Sequence, residues 1–181
     1  MKQPGLVAVI VTVDPGESTG YSVVEVYNAK HPQIPAGTYG HAIFARCRVR
    51  PLAYGTVGYD QASDVLDQHI TYAAALAADR EVPLRVVVEK FVITRTAMQT
   101  NSTWSSEVTG MAVTSLNRAA PTAKIDTTQQ PTEIKNLIHK NRILQQIGLK
   151  PHGSGMTTHE ADALAHALLF AARLSNGLTR L

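Results

Sequence analysis

Cysteine is almost missing from this chain: Cys47 is the only one in 181 residues. That excludes an internal disulfide and any zinc site built from clustered thiolates, and a reducing, intracellular (cytoplasmic) setting is the expectation. Aromatic residues make up only 6% of the chain, too few for an extended platform on which bases stack. No apolar run approaches the roughly 20 residues that a membrane-crossing helix needs. The apolar N-terminal stretch has only Lys2 as a charged start, and Asp14-Pro15-Gly16 stands where a secretory leader would carry a small-residue cleavage site; it reads as a strand. A strong charge of one sign is lacking too. The net charge of +3 and pI near 9.1 lean toward a polyanionic partner without demanding one. Repeats, low-complexity segments and linker-like stretches are also absent, and a chain of this length with 44% apolar residues fits one domain over residues 1–181.

What is present begins with Leu6 to Val13, a run of small and β-branched apolar residues that ends at Asp14. Such a run predicts a central strand covered on both faces. Gly20 to Tyr27 and Tyr39 to Val49 read as two further strands, so the first three suggest an antiparallel meander. From Val57 to Ala78 the apolar spacing becomes helical, with Ala62, Val65, Leu66, Ile70, Ala73, Ala74 and Ala77 on one face. Leu84 to Val88 is a short strand, Thr94 to Ser106 a polar loop or frayed helix start, Glu107 to Arg118 a helix and Pro121 to Ile125 a short strand. Pro131 to Ile147 reads as a basic helix, and Thr158 to Leu174 as a final helix with Thr158 as N-cap and Asn176-Gly177 as stop. Strands first and then strands alternating with helices predict an α/β fold, a mixed sheet flanked by helices.

An acid at the tip of a buried strand is costly unless a negative charge is needed there. Asp14 is therefore either a metal ligand or a turn-former, since Asp-Pro-Gly is good turn chemistry. Glu89 repeats the pattern at the end of Arg85-Val86-Val87-Val88, with a surface pairing to Lys90 or Arg95 as its alternative. On the final helix His159, Asp162 and His166 share one face, opposite Ala161, Leu164, Ala165, Leu168 and Ala172; Glu160 lies off that face. A solvated stripe is the plain alternative, but apart from Glu160 little else on this helix is polar before Arg173. Together Asp14, Glu89 and Asp162, with His159 beside them, would repel one another unless cations neutralised them. Two Mg²⁺ or Mn²⁺ ions held there would align water and a phosphodiester for in-line attack, and an imidazole ligand suits Mn²⁺ better than an all-oxygen site does.

Val13-Asp14-Pro15-Gly16 with Gly20-Tyr21, Val88-Glu89 at a strand end, and His159-Glu160-Ala161-Asp162-Ala163-Leu164-Ala165 in a C-terminal helix occur in an order and spacing that resemble the RuvC Holliday junction resolvases. The resemblance implies an RNase H-like fold with a five-stranded mixed sheet, a homodimer, and divalent-metal cleavage of four-way or otherwise branched DNA by paired nicks. It implies that Asp14, Glu89 and Asp162 are metal-binding catalytic acids, and that His159 stands where other members carry a fourth acid or a histidine. The chain departs from the pattern after Glu89: Val92 occupies the place of an aromatic wedge, with Phe91 one residue early. The stretch from Thr94 to Glu107 is long, which makes Met98 or Trp104 candidates for that role. Lys135 and Lys140 are candidate DNA contacts in a segment shorter than the common one. These features point to a divergent bacterial or phage-type member with a broader taste for branched DNA.

Arg46, Arg48 and Arg50 alternate, as on a charged edge strand that discourages aggregation. Trp104, the only tryptophan, stands in a polar stretch and is a candidate for DNA or subunit contact. Two other functions fit parts of the pattern. A strand ending in Asp followed by a Gly-containing turn also opens the phosphate-binding lobe of actin-like ATPases, but those need two such lobes and no second Asp-Gly-type strand turn occurs. A catalytically silent junction-binding protein would have the same fold, but unneutralised acids would weaken its grip on DNA.

Overall fold

The computed structural model describes residues 5–28, 47–90, 102–129, 133–134, 144 and 156–178. In chain order the elements are β1 (Leu6–Asp14), β2 (Ser18–Asn28), β3 (Cys47–Gly58), α1 (Tyr59–Arg80), β4 (Leu84–Val88), α2 (Ser102–Ala119), β5 (Lys124–Asp126) and α3 (Thr158–Ser175). The strands form one five-stranded mixed sheet in the order β3-β2-β1-β4-β5. The first three strands pair antiparallel, whereas β4 and β5 join parallel to β1. This is the fold expected from the sequence.

β1 lies at the centre, and its alternation builds both halves of the core. Val9, Val11 and Val13 pack on one face against Ala62, Leu66, Ile70 and Ala73 of α1 and Val108 and Ala112 of α2. Ala8 and Ile10 point to the other face, where Leu164, Ala167, Leu168 and Phe170 of α3 cover them. Each fully buried large aliphatic side chain stabilises the fold by about 1.5–3 kcal/mol, so layers on both sides hold this strand and its tip in place. Ile134 and Leu144 are helical and buried, within the segment expected to be a basic helix.

Three elements differ from expectation. The third strand runs from Cys47 to Gly58 instead of ending at Val49; residues 39–46 lie outside the described residues. Pro51 and Gly55 look like breakers in sequence, yet β3 is an edge strand, where a proline costs no ladder bond on its open side. Pairing shifts beside Pro51 (Val23 opposite Ala53, Val24 opposite Pro51), and the Tyr21 ring covers Gly55. The second helix starts at Ser102, not Glu107, which puts Trp104 in its first turn. The helix N-cap before α3 is Thr157, not Thr158. The alternating arginines bear out the edge-strand reading: Arg48 is exposed, and Arg50 pairs across the β2–β3 ladder with buried Glu25 at 2.5 Å.

Candidate functional site

The period of two that builds the core also aims the acids. Asp14 ends β1 in step with Ala8, Ile10 and Thr12, and Thr12 Oγ1 donates to the Ala163 carbonyl of α3 at 2.7 Å. Asp14 therefore faces α3. On β4, Val87 belongs to the core on the α3 side, so Glu89, two residues on, comes to that side too. Its main-chain N–H donates to Val13 at 2.9 Å, extending the β1–β4 pairing past Val88. The two acids thus leave neighbouring parallel strands at their carboxyl ends, where open α/β sheets place their functional crevice.

α3 presents the remaining side chains. Its first turn is set by a capping box: Thr157 Oγ1 accepts from Glu160 N at 3.2 Å, and Glu160 Oε2 accepts from Thr157 N at 3.1 Å. Glu160, the acid off the polar face, is thus a structural residue at the helix start. Thr157→Ala is expected to cost about 1 kcal/mol, read as a fall of roughly 2–4 °C in melting temperature. The helix is buried along most of its length; the polar stripe of His159, Asp162 and His166 turns toward the strand tips, with His166 fully buried and His159 and Asp162 part-exposed at the helix start.

There His159 Nδ1 meets Asp14 Oδ2 at 2.8 Å, and His166 Nε2 meets Glu89 Oε2 at 2.5 Å. His166 Nδ1 in turn contacts Gln129 Oε1 at 2.7 Å. The approach of α3 is made possible by Gly20, the β2 residue paired with Asp14. A Cβ at Gly20 would lie 2.1 Å from the His159 carbonyl oxygen.

The electrostatics of the cluster are unfavourable for charge. Burial, then the negative charge of Glu89 and last that of Asp162, push Asp14 up to about 6, against the lowering effect of its bond to His159. Asp162 is half-buried, three residues from His159 on the same helix face. Glu89 and Asp162 are therefore both close enough to oppose the ionisation of Asp14. Among the described residues no three donors are gathered tightly enough to enclose a metal ion, and histidines contact one oxygen each of Asp14 and Glu89. The donor set nonetheless suits a hard cation: oxygen-rich, half-buried, and with like charges that a cation would neutralise.

Asp14, Glu89, Asp162 and His159 are thus brought to one place. Phe91, Met98, Lys135 and Lys140 lie outside the described residues. Trp104 is not in a loop; its ring stacks near Tyr59, with centroids 6.0 Å apart, and the next residue, Ser105, donates to the Pro15 carbonyl at 2.9 Å. It flanks the turn that follows Asp14. Gln129 was not legible: in Thr127-Thr128-Gln129-Gln130 nothing marks one amide for burial, yet Gln129 is fully buried.

No helix among the described residues is long and apolar enough to cross a membrane. No protein-family model matches the chain, and no curated protein does. Among solved structures it is similar to T. thermophilus RuvC in complex with Holliday junction substrate, at a TM-score of 0.57 and 18% identity over 94% of this chain and 96% of that one. The likeness extends over nearly the whole length of both chains, and the chain has an RNase H-like fold.

Proposed function

We propose that this protein is a divalent-metal-dependent endonuclease that nicks branched DNA, four-way junctions foremost, by phosphodiester hydrolysis. The observation that carries the reading is the convergence of Asp14 and Glu89, from the ends of two parallel strands, with Asp162 and His159 from the first two turns of α3. The similar structure holding a Holliday junction supports the choice of substrate. Asp14, Glu89, Asp162 and His159 would hold Mg²⁺ or Mn²⁺, most simply as two ions per site. Bound there, the ions supply a positioned water nucleophile and neutralise the charge that develops on the cleaved phosphate.

The chain's own contribution is placement. β1 and β4 fix the two strand carboxylates at a common edge, and the capping box fixes the helix that faces them. Burial makes the charged form of Asp14 unfavourable without a counter-charge, so the acids are poised for a cation. Resolving a two-fold junction needs two sites that nick opposite strands, and a homodimer satisfies that symmetry.

A cleavage panel tests the reading: four-way junctions, forks, flaps, single strands and plain duplex, each in Mg²⁺ and in Mn²⁺. Cleavage of junctions above duplex in either metal is the expected result. Junction affinity measured in Ca²⁺ is expected to fall linearly with salt on a double-logarithmic plot, because phosphate contacts dominate branched-DNA binding. No cleavage of any branched substrate in either metal would overturn the proposal.

A further inference from the structure

His166 is a fully buried imidazole on a helix whose neighbours at 163, 164, 165, 167 and 168 are alanine and leucine. A leucine at 166 would continue that pattern with no desolvation cost, so the ring needs a reason to be there. Its two nitrogens are both engaged, on opposite sides. Nε2 meets Glu89 Oε2 at 2.5 Å and Nδ1 meets Gln129 Oε1 at 2.7 Å. Gln129 is itself fully buried, and its main-chain carbonyl accepts from Lys90 N at 2.7 Å, next to Glu89. The amide is thus tied to the residue after the acid whose histidine it touches.

We infer that His166, oriented by Gln129, is a positioning residue for Glu89. An ionised carboxylate only accepts, so the Nε2 facing it carries the hydrogen. Nδ1 then faces the Gln129 carboxamide, which offers an acceptor or a donor by turning over. In the orientation with Oε1 toward the ring, Gln129 Nε2 is buried with no partner among the described residues. Turned over, the amide donates to Nδ1, fixes the neutral ring with its hydrogen on Nε2, and leaves a carbonyl oxygen in the unpartnered place, the cheaper of the two. Either way Glu89 Oε2 is held by a ring that is fully buried and engaged at both nitrogens. The other oxygen, Oε1, is left to meet a cation. Outer partners of this kind set the orientation and basicity of the acid they touch.

The inference rests on the metal-dependent reading above, and the experiment separates the two. His166→Leu, Gln129→Leu and His166→Gln are compared with the unaltered protein by Mn²⁺ titration calorimetry, thermal melting and junction cleavage. Folded His166→Leu is expected to bind Mn²⁺ at least about tenfold more weakly. Its kcat falls by a similar factor, and KM for the junction stays unchanged. His166→Gln, which restores a donor of similar reach, recovers most of the loss, and Gln129→Leu shifts Mn²⁺ affinity the same way by a few-fold. Mn²⁺ affinity within about twofold of the parent in folded His166→Leu overturns the inference; should that variant not fold, unchanged affinity in folded Gln129→Leu does so. An unaltered protein that neither binds Mn²⁺ nor cuts DNA overturns the metal reading itself, and His166's role with it.

Discussion

Asp14→Asn is expected to lower junction cleavage by at least about 100-fold, the upper end of what loss of an outer partner costs, while junction binding in Ca²⁺ persists. The same variant is expected to be more stable than the parent when metal is absent, a pairing of effects that few substitutions produce. Asp14 is held at about 6 by burial and by Glu89, whereas an unfolded aspartate titrates near 3.9. The folded state therefore keeps this proton more tightly than the unfolded one. Its contribution is fully present below about pH 4, is lost as pH rises through about 6, and above that the buried charge opposes folding. Removing the charge should recover on the order of 2–3 kcal/mol at pH 8, and the parent's melting temperature should drop between pH 4 and 6 more steeply than the variant's. Mn²⁺ should raise the parent's melting temperature and leave the variant's nearly unmoved. Melting curves across that pH range, with and without Mn²⁺, read all of this. A variant that cuts junctions at the parental rate removes Asp14 from the site.

Gly20→Ala is expected to have the second-largest effect, for a reason of space rather than charge. The added methyl would lie 2.1 Å from the His159 carbonyl oxygen and 2.4 Å from its carbonyl carbon. Both are backbone atoms of a capped helix turn, so no rotamer change relieves the contact. α3 has to move by more than 1 Å, stretching the 2.8 Å bond between His159 and Asp14 and the 2.7 Å bond from Thr12 to Ala163. Overpacking of this kind costs about 1–3 kcal/mol, and a displacement near 1 Å at the reacting groups costs roughly 100-fold in rate. Gly110→Ala in α2 should do the opposite. A Cβ there meets nothing within 4 Å, and alanine is the better helix former by about 1 kcal/mol. Melting temperatures of the two variants should therefore move in opposite directions. Equal stability of Gly20→Ala and the parent would mean that α3 does not rest on β2 in this way.

The Asp14 and Gly20 variants probe the two kinds of information that meet at this site. Asp14 and Glu89 were legible because a continuous apolar run predicts a buried strand, and an acid at its end breaks the pattern at one point. Trp104 and the end of the third strand, set at Val49 before Pro51, differ from expectation for the converse reason. A polar helix start looks like a loop, and an edge strand tolerates a proline that a central strand would not. The charge stripe of Arg48 and Arg50 was read correctly as edge chemistry, because its alternation is local and needs no partner to be seen.

By itself the sequence determined the strand and helix types, the mixed sheet, and the candidacy of four side chains, since these depend on patterns repeating within a few residues. The tertiary structure decided what each carboxylate touches. His166 meets Glu89 across 77 residues and Gln129 across 37, and His159 meets Asp14 across 145. Contacts at such separations are set by strand order and by how closely α3 can lie against Gly20. No periodicity along the chain encodes them.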